Sequence, residues 1–290
     1  MEQLRERSCA KLNLSLDVLA RRNDGYHDLR MVMCSVELHD AVTVSLRTDG
    51  VTAAESNFSW LPRDQRNLAV KAAHTFFEAV GEPNPGVSIS IQKTVPVGAG
   101  MAGGSANAAA VLRALNTLTR AGLDPEELRR IALLVGSDVP YCVTGGIALA
   151  QGRGEVLTPL PALPDCHIVI CKPAFSVSTA ELFHRLDELS LKAHPDTTGL
   201  IEALQAQNLS GVAVRMYNVF EDALPRNCGE IFSIRSALLD HGALGAIMTG
   251  TGSAVFGVFA ERDTARKADT ALAGSYRDCF LTTVCKEEFI

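Results

Sequence analysis

No stretch of this 290-residue sequence approaches the roughly 20 consecutive apolar residues of a membrane-spanning helix. Concentrated positive charge is missing as well. The 27 Lys and Arg are scattered among 33 Asp and Glu, for a net charge of -6, so no basic stripe offers itself to a phosphate backbone. Neither a membrane nor a nucleic acid is therefore expected as a partner. The eight cysteines form no C-x-x-C pair and no Cys/His ligand pattern, which reads as buried, reduced thiols. Internal repeats and low-complexity tracts are absent. Residues 1–7 carry charges of both signs and run into a strand pattern, unlike a signal or transit peptide, so a cytoplasmic protein is expected. What remains, 47% hydrophobic and 21% charged, is globular composition, with length for one large α/β domain or two smaller ones.

Alternation from Ala10 to Val18 predicts a half-buried strand, with Leu12, Leu14, Leu16 and Val18 on one face and Lys11, Asn13, Ser15 and Asp17 on the other. Asp24-Gly25 supplies a reversal, and Tyr26 and His27 begin the return. Val42, Val44 and Leu46, then Val87, Ile89 and Ile91, predict two more strands of a largely antiparallel sheet. Between them Leu68, Ala72, Phe76 and Val80 mark an amphipathic helix stopped by Gly81. A second helix is expected over 105–118, and a third starts at Asp124-Pro125-Glu126-Glu127, a capping box with proline at the first helical position, and ends near Gly136. Pro140 is read as discouraging further helix. The glycine- and proline-rich segment through Pro159, Pro161 and Pro164 is the expected domain boundary. Beyond it, strands are expected at His167–Lys172, Leu244–Met248 and Ala254–Phe259, with helices near 179–189, 231–239 and 264–272.

A glycine-rich run from Pro96 to Ser105 opens directly into the second helix. Backbone donors at such a helix start, together with the positive end of its dipole, are suited to phosphate. The run is neither a Walker A loop nor G-x-G-x-x-G after a parallel strand, and a tight structural turn explains it equally well.

The stretch PVGAGMAGGSANAAA resembles the phosphate loop of the GHMP small-molecule kinases, and TGTGSAVF resembles their glycine-rich third motif. AKLNLSLDVLARRNDGYHDL, GSDVPYCVTGGIALAQGRGE and MTGTGSAVFGVF narrow the resemblance to members that phosphorylate a cytidine-diphosphate-linked alcohol on the non-mevalonate route to isoprenoid precursors. It spans nearly the whole chain. It implies an α+β fold of two domains, 1–155 binding ATP and 156–290 following, with the active-site cleft between them. ATP and magnesium are the implied cofactors, and a monomer or weak homodimer the implied state.

Residue by residue, the resemblance gives Lys11 the reacting hydroxyl and Asp138 the role of general base. Taken alone, Lys11 reads as a solvated or salt-paired strand side chain and Asp138 as a turn residue. By the same likeness Pro96, Val97, Gly98, Ala99, Gly100, Met101, Ala102, Gly103, Gly104 and Ser105 surround the ATP phosphates, with the Ser105 hydroxyl on the metal side. Asn67, Leu68 and Lys93 correspond to the nucleoside pocket of ATP. Substrate binding falls to Asn13, which shares the polar face of the first strand with Lys11, and to Tyr26 stacked on the base, His27 at its edge and Phe183 on its opposite face. Gly250 and Gly252 admit the substrate's diphosphate or shape the cleft, against a plain hairpin turn. Where the common loop reads G-L-G-G-G-S-S, this chain has Met101, Ala102 and Ala106, from which altered ATP affinity is expected, and Asn107 stands where asparagine or aspartate is familiar. A GHMP kinase for homoserine, mevalonate or a sugar, and a nucleotide-binding protein without kinase activity, are the competing readings.

Overall fold

The structure is a computed structural model describing residues 2–189, 191, 193–286 and 289. Two long antiparallel strands, β1 (Gln3–Arg21) and β2 (His27–Leu46), form its spine. Then follow β3 (Thr52–Ser56), α1 (Leu68–Val80), β4 (Val87–Gln92), α2 (Gly103–Thr119), α3 (Pro125–Val135), α4 (Val139–Thr144), β5 (Ile147–Gly152) and β6 (Val156–Pro159). The later half contributes β7 (His167–Lys172), α5 (Thr179–Glu188), α6 (Thr197–Gln205), α7 (Leu209–Ala213), β8 (Tyr217–Asn218), α8 (Gly229–Asp240), β9 (Gly245–Met248), β10 (Val255–Phe259), α9 (Arg262–Ala273) and β11 (Asp278–Thr282). One sheet runs β3-β4-β2-β1-β8, with β5 and β6 joined to another stretch of β2; the second runs β11-β7-β10-β9. The fold is α+β.

Local signals explain many of these elements. Asn67 caps α1 by accepting the Ala69 N–H, and Gly81 closes it in the left-handed conformation. The Asp124–Glu127 capping box starts α3 as expected. Val42, Val44 and Leu46 pair with Ile91, Ile89 and Val87. Pro140 behaves differently from its reading: it sits in the first turn of α4, where its missing N–H costs nothing, and so it begins a helix.

The first strand also departs from expectation, because both of its faces are buried, Lys11, Asn13, Ser15 and Asp17 included. A register shift between Asn13 and Ser15 divides its apolar residues: Leu12 and Leu14 join the cluster with Val36, Ile168 and Phe256, whereas Leu16 and Val18 pack with Phe76, Ile89 and Leu112. Such shifts re-aim side chains along one strand.

The chain does not change sheets after residue 155. β6 pairs with β5 through Ala148 and Pro159, and the second sheet starts at His167. We propose two domains divided between residues 155 and 167, with β8 returning from the later half to the first sheet beside β1. No helix among the described residues is long and apolar enough to cross a membrane.

Candidate active site

The buried polar side of β1 carries the first functional group. Lys11 is 5% exposed; its Nζ donates to Asn13 Oδ1 at 2.6 Å and to the Gly100 carbonyl at 2.9 Å. An ammonium has three donors, so these bonds leave one N–H for the cleft that Lys11 lines. Burial pushes its pKa down, and the nearby Asp138 carboxylate pushes it back up. Asp138 precedes α4 and makes no capping bond with its side chain, although the position invites one. Lys11 and Asp138 line the same cleft, about 820 Å³ in volume.

Two glycine turns floor that cleft and interlock. A methyl group on Gly100 would stand 2.1 Å from the Thr249 carbonyl, and one on Gly250 would stand 2.6 Å from the Gly100 carbonyl. Glycine at both positions is thus explained by backbone packing between the turns, and both have positive φ. Lys11 N–H donates to the Met101 carbonyl and Ala254 N–H to the Ala99 carbonyl, which ties the loop to β1 and to the 249–254 turn. Gly98, Ala102, Ser105 and Gly252 also face the cleft. Ala99 and Met101 are buried, Gly104 is exposed, and neither these nor Pro96, Val97 and Gly103 line it.

The N-terminus of α2 has no side-chain cap, so its first N–H groups remain for an anion. Ala102, at its N-cap, takes φ 54, a left-handed conformation that strains any residue with a Cβ. Ala102→Gly is expected to stabilise the fold by about 0.5–1 kcal/mol, once the larger entropy of unfolded glycine is set against the relieved strain. Thermal unfolding checks this; an unchanged or lower Tm would show that the alanine is unstrained.

Three expected ligand-binding residues stand elsewhere. Asn13 is fully buried behind Lys11, where its Oδ1 accepts from Lys11 Nζ and from the Gly250 N–H at 3.0 Å, so it positions both groups and does not line the cleft. Asn67 is occupied as the α1 cap and as donor to the Pro62 carbonyl, leaving Leu68 as the member of that pair on the cleft. Lys93 is 7% exposed and ion-paired with the fully buried Asp40 beneath the loop. Its ammonium also meets the Asn107 side-chain carbonyl at 3.4 Å, and Lys93 does not line the cleft. Asp40 also accepts the N–H groups of Thr94 and Val95 at 2.7 and 2.8 Å and the Asn107 amide at 2.9 Å. Asn107 donates further to Ser8 at 2.8 Å, so it braces the loop from below.

At the other end Tyr26 is 53% exposed, while His27 is held by Asp187 at 2.7 Å. That bond pulls the Asp187 carboxyl below its usual range. Phe183, on α5, stacks on the His27 ring with centroids 4.6 Å apart, and meets Phe220 edge-on at 4.9 Å. Phe183 thus touches His27 directly, because Asp187, one turn along α5, draws the imidazole against that helix. Sequence reasoning passed over Arg153, Thr179 and Thr251 on the cleft wall, and Asp40 below it. The G-R-G-E turn carried a signal for Arg153; Asp40, inside a long strand, carried none.

The sequence pattern of the GHMP kinases N terminal domain matches residues 67–146, and that of the GHMP kinases C terminal matches residues 200–278. A 4-diphosphocytidyl-2-C-methyl-D-erythritol kinase of Alkaliphilus metalliredigens (strain QYMF) is 41% identical over 281 residues, 97% of this chain and 96% of the relative. Among solved structures, a 4-(cytidine 5'-diphospho)-2C-methyl-D-erythritol kinase aligns with a TM-score of 0.81 at 32% identity, covering 98% of this chain and 100% of its own. A homoserine kinase from Cytophaga hutchinsonii aligns with a TM-score of 0.75 at 19% identity over 98% of this chain and 95% of its own, a likeness of fold alone.

Proposed function

The chain belongs to the GHMP kinases and, within them, to the 4-diphosphocytidyl-2-C-methyl-D-erythritol kinases, and from that premise we propose how its cleft works. The enzyme uses ATP to phosphorylate the 2-hydroxyl of 4-diphosphocytidyl-2-C-methyl-D-erythritol, a step of the methylerythritol phosphate route to isoprenoid precursors. The observation that carries the mechanism is the meeting of Lys11, Asp138 and an uncapped helix start on one cleft.

The N-terminus of α2 and the turns at Gly98 and Gly100 receive the triphosphate through backbone N–H groups. Lys11 donates its free N–H to the substrate hydroxyl and, as transfer proceeds, to the charge gathering on the phosphoryl oxygens. Asp138 takes the hydroxyl proton. The substrate oxygen bonds to the γ-phosphorus as the bond to the β–γ bridging oxygen breaks and ADP leaves, without a phospho-enzyme. Positioning supplies much of the rate. Among the described residues no group of three His, Cys, Asp or Glu side chains is placed to hold a metal ion. Magnesium would accordingly be held mainly by the ATP oxygens, with the Ser105 hydroxyl as the loop's contribution, and would neutralise phosphate charge. Tyr26 offers its exposed ring to the cytosine, and the stacked His27 and Phe183 wall the base pocket. We further infer a cytoplasmic enzyme, a monomer or weak homodimer.

A magnesium-containing assay of ADP release, offering the cytidylyl substrate beside homoserine, mevalonate and galactose, tests the reading. Turnover with the first alone, abolished in Lys11→Ala, is expected. Preference for another alcohol would keep the fold and reject the base pocket, whereas ATP binding without turnover of any of them would favour a non-catalytic module.

A further inference from the structure

Arg153 has no place in the mechanism above, yet it lines the same cleft. It sits in the turn between β5 and β6, between Gly152 at φ 68 and Gly154 at φ 109. The Glu155 carboxylate accepts the Arg153 N–H at 2.5 Å. A methyl group on Gly152 would stand 2.9 Å from that carboxylate and one on Gly154 would stand 3.2 Å from Met31. The turn is therefore closely packed and aims a single side chain at the cleft.

We propose that Arg153, steadied on the Tyr26 ring, binds the diphosphate of the cytidylyl substrate and so helps the enzyme choose it. This rests on the functional reading above. Among the described residues that line the cleft, Lys11 and Arg153 are the only Lys or Arg side chains, and Lys11 is already committed to Asn13 and Gly100 at the reacting end. The arginines beside the Tyr26 turn are paired: Arg22 with Asp24 and Asp28, Arg21 with Asp187. Arg153 approaches Glu155 through Nε at 3.8 Å and lies near enough to Asp24 to help hold that carboxyl below its usual range, without an ion pair between them. Its terminal Nη groups make no hydrogen bond among the described residues, and its side chain is 30% exposed. The guanidinium lies 5.0 Å from the Tyr26 centroid, so its plane is supported on one side while its edge remains open. A planar fork with free N–H groups suits phosphate oxygens in pairs. The substrate's diphosphate is joined directly to the cytidine that Tyr26 receives, which brings the anion to this edge of the cleft.

Equilibrium binding of cytidine and of CDP separates charge recognition from support of the ring. Wild-type protein is expected to bind CDP more tightly than cytidine. Arg153→Gln should weaken CDP about tenfold, leave cytidine unchanged and raise KM for the cytidylyl substrate similarly, with KM for ATP unaltered. Arg153→Lys, which keeps charge without the fork, should recover part of the loss. Equal weakening of cytidine and CDP would mean that Arg153 only props Tyr26 and would overturn the proposal, as would a rise confined to KM for ATP. Failure of the wild-type protein to bind either cytidine or CDP would instead remove the functional reading itself, and this inference with it.

Discussion

Asp138→Asn is expected to lower kcat about a thousandfold while leaving ATP affinity within a factor of about two, in line with the usual contribution of a positioned base. The amide keeps the size and shape of the side chain, and no capping bond is lost, because Asp138 makes none. What disappears is the proposed acceptor for the hydroxyl proton and one negative charge facing Lys11. The charge has its own consequence. Asp138 raises the Lys11 pKa against the burial that lowers it, so the variant should hold its lysine proton less tightly and lose residual activity at a lower pH than the parent. Steady-state kinetics with both substrates, beside a nucleotide-binding titration, provide the check. Turnover within tenfold of the parent in a folded variant would move the base elsewhere.

The second large effect is expected one layer below the cleft. Asp40 accepts from two backbone N–H groups, the Lys93 ammonium and the Asn107 amide, and it is fully buried. Asp40→Ala leaves a buried cation without its partner and strands the N–H groups of Thr94 and Val95. Breaking such a pair costs about 3–5 kcal/mol. The glycine-rich loop proposed to hold the ATP phosphates leaves directly from Val95, so KM for ATP should rise in whatever fraction remains folded. Adding Lys93→Met removes the stranded charge and should recover about half of the loss in urea unfolding. A single variant within 1 kcal/mol of the parent, on the scale of an exposed pair, would show that the network carries little.

Glycine and lysine positions show how differently legible the site was. Gly81 and the Asp124–Glu127 box announce themselves because their partners lie within a few residues. The Pro96–Ser105 run was readable as a helix-opening loop for the same reason. Lys93 was not: beside that loop it looks like a ligand for nucleotide, but its partner Asp40 lies 53 residues away. Asn67 was legible as polar and near a helix start, and its side chain proved to serve the helix before any ligand. Pro140 stops no helix because it stands in the first turn of α4, where its missing N–H has no intrahelical partner to lose.

Amphipathic periods, caps, turn glycines and motif order are properties of neighbouring residues, whose backbone preferences and side-chain reach extend over a turn or a few strand positions. These specified the principal helices and strands, the glycine-rich loop that opens α2 and the family likeness. The cleft itself depends on contacts across great separations: Gly100 against the Thr249 turn, 149 residues on; His27 against Asp187, 160 on; Arg153 over Tyr26. Whether a polar side chain ends as a ligand group or a buried strut depends on what covers it, since desolvation must be offset by whichever partners packing brings near. That covering belongs to the folded chain, and it is why Lys11 reaches the cleft while Lys93 does not.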